Sequence, residues 1–214
     1  MELAKDCLDV GLYTNDYEAM SRFYTNRIGL AYEELLKVGR GIHQHRLSLR
    51  GAVLKLNSSR EPLPPSPTNF LGFDIGGFEP GEELVDTTVR LVPAGQVTIH
   101  WASSAPDRLW ELLMTGFGAS ESPDGQLQIG RTAIAVEPGG GPCGPMRSRG
   151  FRYITVQVSD VRSDHAFLVK HGWREATAPV RLGDTAFISV VSDPDGAMVE
   201  VSQRASLTGP LPDP

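Results

Sequence analysis

Apolar and polar residues alternate in several short stretches of the chain. In residues 8–13, 97–101 and 153–158, every second side chain is apolar, the spacing that places those side chains on one face of a β-strand. After each stretch the apolar residues recur every third or fourth position, which predicts a helix; the last of these helices runs from about Asp160 to Gly172. A glycine follows each helix and the alternation resumes. The pattern therefore predicts a β-α-β-β-β unit in three places.

Two stretches rich in proline, glycine and serine divide the chain, at residues 58–69 and 137–150. Their composition is typical of linkers, and we expect the second to be flexible. The predicted βαβββ modules are residues 1–60, 96–138 and 150–204. Residues 61–95 form either a linker or a fourth, eroded module, because residues 86–99 echo the end of the last module.

Composition limits the kinds of partner. The chain has 214 residues, 40% of them hydrophobic, and a formal net charge of −6. Without a basic stripe it lacks the surface that binds nucleic acid or an anionic membrane, so we expect a small molecule or another protein as partner. We see no signal segment or membrane span and expect a cytoplasmic protein. The two cysteines, Cys7 and Cys143, lack the spacing of a structural metal site.

One carboxylate interrupts the apolar pattern of the last predicted strand. In the segment DPDGAMVEVSQ, residues 193–203, Glu200 lies between Val199 and Val201 and therefore points to the opposite face. The strands of each module have one apolar face and one mixed face, which indicates a sheet curled over a solvated concavity. Glu200 on that face is a candidate catalytic residue. The alternative is an ion pair, for example with Lys55, that takes no part in chemistry.

Histidines supply further candidates for substrate binding. His43 and His45 are two residues apart, so on a strand they point the same way and could bind a metal or a substrate anion. They could equally be a solvent-facing pair. His100 shares a face with Thr98 and would face a cup if the middle module is real.

The segments DYEAMSRFYTNRIGL, RLSLRGAVLKL and DTAFISVVSDPDGAMVEV resemble the vicinal oxygen chelate superfamily. Its members include glyoxalase I, bleomycin-resistance proteins, extradiol dioxygenases and methylmalonyl-CoA epimerase. The resemblance implies an α+β fold of paired βαβββ modules, with curled mixed sheets forming a cup and helices outside. We expect the two outer modules to pair about a pseudo-twofold axis. The chain is then either a monomer with internal module pairing or a homodimer.

The resemblance also assigns positions to a divalent metal such as iron, zinc or manganese. They fall on Asp9 and Lys55 in the first module and on Tyr153 and Glu200 in the last. Only Glu200 matches the common ligand pattern, with Asp9 the one other metal candidate. We therefore expect the usual four-ligand metal site to be absent, and Asp9, Lys55 and Tyr153 to bind substrate.

Two functions follow from these expectations. The first is a glyoxalase- or dioxygenase-like enzyme acting on a small oxygenated metabolite by lyase, isomerase or dioxygenase chemistry. The alternative is a metal-free small-molecule (drug) binding protein of the bleomycin-resistance type. The chain has no GxSxG, GxxxxGK[ST], HExxH or GxGxxG motif, so other common catalytic classes are not indicated. Converging charges in the cup favour the enzyme.

Overall fold

The strands of the protein form two sheets. The computed structural model describes residues 1–77, 88–93 and 95–212. In spatial order the larger sheet contains β12 (Arg174–Leu182), β13 (Ala186–Ser192), β14 (Met198–Arg204), β11 (Gly150–Gln157), β1 (Asp9–Thr14), β4 (Ala52–Ser59), β3 (Ile42–Leu49) and β2 (Tyr32–Gly39). The described strands of the smaller sheet are β6 (Val89–Val92), β5 (Phe70–Gly76), β7 (Thr98–Ser103), β10 (Thr132–Pro138), β9 (Leu127–Ile129) and β8 (Ser120–Glu121).

Four helices connect or follow these strands in the described ranges. They are α1 (Tyr17–Arg22), which continues as a π-helical turn (Phe23–Arg27), α2 (Pro106–Phe117), α3 (Val161–Lys170) and α4 (Ala205–Thr208). The side chains of Asp16 and Asp160 accept hydrogen bonds from the first backbone N–H groups of α1 and α3, which satisfies donors that have no partner inside a helix. Gly118 ends α2 in a left-handed conformation that glycine adopts without strain.

The larger sheet is built from the first and last parts of the chain. Strands β1 and β11 are antiparallel neighbours, with Val10 opposite Ile154. Strand β4 runs parallel to β1, and β14 runs parallel to β11. The two halves are thus related by a pseudo-twofold axis near the Val10–Ile154 pair. The predicted α+β fold, with paired modules whose curled sheet forms a cup, is confirmed, and all eight strands of this sheet belong to one chain.

The convex face of the larger sheet supplies the core. Its apolar residues, such as Leu54 and Val201, are fully buried in one cluster that includes the smaller sheet and the inner faces of α2 and α3. Phe70 of β5 stacks on Phe151 of β11, with ring centroids 4.7 Å apart, and so joins the two sheets. Because the helices pack on this side, the concave face is left to line a cavity.

The middle of the chain builds the smaller sheet, in which β5 and β6 pair with each other and β5 pairs with β7. Residues 78–87 and 94 lie outside the described residues, so the fourth module in residues 61–95 stays a prediction. No helix in the described ranges has the length and apolarity needed to cross a bilayer.

The second linker is held by its neighbours, which corrects our expectation of flexibility. The N–H of Cys143 donates to the carbonyl of Asp195, and the N–H of Gly144 donates to the carbonyl of Pro67. Beside it, Asp195 accepts hydrogen bonds from the hydroxyls of Ser103 and Ser104 at the end of β7. These hydrogen bonds satisfy backbone groups that would bond to water in a flexible loop. The acidic turn before β14 thereby ties the two sheets together.

Candidate functional site

The concave face of the larger sheet encloses a cavity of about 300 Å³, which we call the cup. Polar side chains on the central strands form its floor: Gln44, Lys55, Asn57, Tyr153 and Glu200. Apolar side chains from the outer strands and the second linker form its wall: Leu36, Val38, Met146, Leu182, Ile188 and Val190. A cavity with an apolar wall and a few converging polar groups is the usual form of a small-molecule site.

The centre of the floor is an ion pair fixed by a hydroxyl. The Nζ of Lys55 lies 2.7 Å from Oε1 of Glu200 and donates to Oγ1 of Thr155 at 2.7 Å. Thr155 in turn donates to the same Oε1 at 3.1 Å. The Lys55 side chain is 4% exposed and that of Glu200 16%. Oε1 is therefore anchored twice, whereas Oε2 accepts no hydrogen bond from any described residue.

Tyr153 presents a proton donor to the same floor. Its hydroxyl accepts hydrogen bonds from Nδ2 of Asn57 at 3.1 Å and from Nε2 of Gln44 at 3.3 Å. Burial, followed by the charge of Glu200, raises the pKa of Tyr153 well above 10. The phenol is thus protonated at neutral pH, and its O–H has no acceptor within the described ranges. It is available to donate to a ligand oxygen.

Gly11 makes room for the Tyr153 ring. A Cβ at this position would lie 2.2 Å from a ring carbon of Tyr153. The two residues are direct partners across β1 and β11. Any larger side chain at Gly11 would displace the ring, so the glycine fixes the position of the phenol.

Asp9 lies beside the cup, and both of its carboxylate oxygens accept hydrogen bonds from neighbouring groups. Its oxygens accept hydrogen bonds from Nζ of Lys5 at 2.7 Å, the N–H of Val53 at 2.9 Å and Nε2 of Gln157 at 3.0 Å. Burial disfavours its charge, but the Lys55 and Lys5 ammonium groups outweigh burial and lower its pKa. It lines an adjoining cavity of about 260 Å³ rather than the cup.

The three candidate histidines lie away from the cup. Gln44 and Arg46 point into it, so His43 and His45, one residue out of phase, point to the other face of β3. There the ring of His45 stacks on Tyr17 at a centroid distance of 3.8 Å. His43 lines an outer groove with Tyr17.

His100 belongs to the smaller sheet. Its Nδ1 lies 2.9 Å from Glu137 and its Nε2 2.9 Å from Asp74. Of the residues nominated from the sequence, the structure brings Lys55, Tyr153 and Glu200 together.

Several residues of the site were not nominated from the sequence. Asn57 and Arg204 line the cup and Thr155 bonds to the Lys55–Glu200 pair. They follow Lys55, Glu200 and Tyr153 at even spacing, so strand period alone could have found them. Arg46 is different, because it faces the cup as the cross-strand partner of Lys55. That position depends on the register between β3 and β4.

The residues at the implied metal positions do not fit a divalent ion. Lys55 places an ammonium where a ligand is needed, and it already occupies Oε1 of Glu200. The oxygens of Asp9 are taken by other donors, and a protonated phenol such as Tyr153 is a poor ligand. Among the described residues, no group of three or more His, Cys, Asp or Glu side chains is arranged to hold a metal.

Comparison with known proteins places the chain in a family. The model of the Glyoxalase/Bleomycin resistance protein/Dioxygenase superfamily matches residues 8–201. Glyoxalase I from Zea mays is 14% identical, covers 92% of each chain and superposes with a TM-score of 0.71. A candidate dioxygenase from Bacillus subtilis is 11% identical over 95% of this chain and 85% of its own, with a TM-score of 0.68. At such identities the likeness shows the fold alone.

Among curated proteins no sequence is a significant match. The chain belongs to the Glyoxalase/Bleomycin resistance protein/Dioxygenase superfamily.

Proposed function

We propose that the cup binds a small oxygenated metabolite and that Glu200 transfers a proton to or from it. One observation carries this proposal. Glu200 lines the cup, and its Oε1 accepts hydrogen bonds from Lys55 and Thr155. Its Oε2 has no hydrogen-bond partner among the described residues. A carboxylate fixed at one oxygen and open at the other is a positioned proton acceptor.

The arrangement suits removal of a proton from carbon next to a carbonyl group. Oε2 of Glu200 would take the proton, and the electron pair of the broken C–H bond would move onto the carbonyl oxygen. The O–H of Tyr153 and the ammonium of Lys55 would stabilise the oxyanion that forms. Return of the proton to a neighbouring atom gives isomerisation, and loss of a leaving group gives a lyase reaction.

Exchange of carbon-bound protons with solvent tests this proposal directly. The protein is incubated in D₂O with a panel of 2-oxo and 2-hydroxycarbonyl compounds, and loss of the carbon-bound proton signal is followed by NMR. We expect one or more compounds to exchange, and Glu200→Gln to slow that exchange by about 10²- to 10⁴-fold. Tyr153→Phe keeps the ring and loses only the O–H, so we expect a smaller decrease, of about 10- to 10³-fold.

The matched control is Glu121→Gln, an exposed residue of β8 in the smaller sheet. It should leave exchange unchanged. Exchange that survives Glu200→Gln would refute the role of this carboxylate. Compounds that bind the cup but do not exchange would refute the enzyme and support the small-molecule binding protein.

A further inference from the structure

Two guanidinium groups at one end of the cup share a single carboxylate. Nε of Arg46 lies 3.0 Å from Oε1 of Glu34, and Nη2 of Arg204 lies 3.1 Å from the same oxygen. The other cations of this region have their own partners, since Lys55 pairs with Glu200 and Lys5 with Asp9. The pair of arginines therefore carries one positive charge without a matching carboxylate in contact.

The guanidinium of Arg46 also lacks hydrogen-bond partners. Its contact with Glu34 does not follow the N–H direction, so Nε is buried without an aligned acceptor, and Nε of Arg204 is in the same state. No described residue accepts a hydrogen bond from the remaining N–H groups of Arg46. The Arg46 side chain is only 8% exposed. Burial and then the charge of Arg204 lower its pKa, as expected for a cation that is under-compensated.

Unsatisfied donors of this kind need an explanation, because a buried charged donor without an acceptor is destabilising. Arg46 and Arg204 both line the cup. Arg46 is the cross-strand neighbour of Lys55, and Arg204 follows Glu200 on the same face of β14. Both guanidinium groups also line the adjoining cavity, where Glu34 contacts them. An anion that reached them from the cup side would lie in the same cavity as the proposed proton acceptor.

We propose that Arg46 and Arg204 bind the carboxylate of the substrate, which is a small organic acid whose apolar part lies against the wall of the cup. The inference rests on the proposed function, in that it assigns the substrate class of that site. A carboxylate fits the planar, forked donors of arginine, and its single charge matches the single unpaired cation. Inorganic phosphate carries more charge and has no apolar part to contact Leu36 or Ile188.

The test compares phenylacetate with its neutral counterpart phenylacetamide and with inorganic phosphate. Binding is measured by isothermal titration and by thermal shift at constant ionic strength, with benzoate and hexanoate as further carboxylates. We expect the carboxylates to bind at least tenfold more tightly than phenylacetamide, and phosphate to bind more weakly than phenylacetate. Arg46→Met should weaken carboxylate binding by about 10- to 100-fold and leave phenylacetamide unchanged.

A second variant and a control keep the test decisive if Arg46→Met folds poorly. Arg204→Met leaves Arg46 and Glu34 as a one-to-one pair and should cause a similar loss of carboxylate binding. Arg60→Met removes an exposed arginine and should change nothing. Circular dichroism confirms that each variant is folded.

Equal affinity for phenylacetate and phenylacetamide, or carboxylate binding that survives both arginine variants, would overturn the inference. So would phosphate binding as tightly as phenylacetate, or no carboxylate binding at millimolar concentration. These results are separable from failure of the proposed function. Neutral compounds that exchange protons through Glu200 would sustain the chemistry without the anion site. Arginine-dependent carboxylate binding without any exchange would sustain the anion site alone.

Discussion

Asp193 is a buried carboxyl group with one oxygen left without a partner. Its Oδ1 accepts a hydrogen bond from the N–H of Ala197 at 2.8 Å, whereas Oδ2 is buried and accepts none from the described residues. Burial, against which backbone hydrogen bonds act, raises its pKa from 3.8 to about 6. The residue therefore shapes the turn before β14 most favourably when it is protonated.

This shift predicts a dependence of stability on pH. Because the folded pKa lies above the unfolded value, the contribution of Asp193 is fully present below about pH 4 and is lost as pH rises through about 6. The difference amounts to roughly 3 kcal/mol at most. We expect Asp193→Asn to gain stability relative to the parent protein as pH rises from 4 to 7, measured by urea unfolding at each pH. Asp184→Asn, at an exposed carboxylate, should follow the parent; a constant difference for Asp193→Asn would contradict the prediction.

The two faces of strand β14 have different roles: one packs in the core and the other lines the cup. Val199 and Val201 are fully buried in the core cluster, and Glu200 between them lines the cup. The ion pair of Glu200 is partly buried, so it matters more for stability than the ~0.5 kcal/mol expected of an exposed pair. The carboxylate of Glu200 compensates the nearly buried ammonium of Lys55, which depends on that charge.

Substitutions on the two faces should have different effects. Val201→Ala removes buried methyl groups and should cost about 1–3 kcal/mol without weakening ligand binding. Glu200→Gln keeps an acceptor for Lys55 but loses the charge, so we expect about 1–3 kcal/mol of destabilisation together with loss of exchange activity. Urea unfolding and ligand titration of both variants measure the two effects. Weakened binding in Val201→Ala with a stability equal to the parent would contradict this division.

For single strands, the sequence predicts which side chains face the cup when one face is apolar and the other polar. It does not predict this when both faces carry polar residues. Alternation is clear in β1, β11 and β14, because their convex faces are mainly apolar, as Val10, Ile154 and Val201 show. In β3 the cup face carries Gln44 and Arg46, both buried, while the opposite face carries His43 and His45. With polar residues on both faces, alternation could not decide which pair points inward. His100 was tied to the middle module, whose sheet is separate from the cup.

For the whole molecule, the pairing of the outer modules and a curled sheet could be expected from the resemblance, but the side-chain contacts that the curl creates could not. Arg204 of β14 reaches Glu34 of β2 across several intervening strands. That contact joins residues far apart in sequence and depends on the twist accumulated across the sheet. The sequence alone therefore could not predict that Arg46 and Arg204 share the carboxylate of Glu34.

The side chains at the implied metal positions also predict how the protein behaves without added metal. Because Lys55 holds Glu200, we expect protein purified without added metal to contain less than about one divalent ion per chain. Treatment with a chelator should leave the melting temperature unchanged. Elemental analysis and thermal melts measure these two quantities. Stoichiometric iron, zinc or manganese would contradict the prediction and would return Asp9 and Glu200 to consideration as ligands.

The pairing of β1 with β11 sets the order in which the protein can be assembled on the ribosome. One edge of β1 is covered early by β4, but its other partner is β11, which begins only at Gly150. The 136 residues from Thr14 to Gly150 take roughly 7 to 27 seconds at about 5–20 residues per second, and β1 waits that long for its partner. An unpaired strand edge readily accepts another strand. Until β11 arrives, this edge is open to pairing with a strand of another nascent chain, so fast completion of the chain favours correct folding.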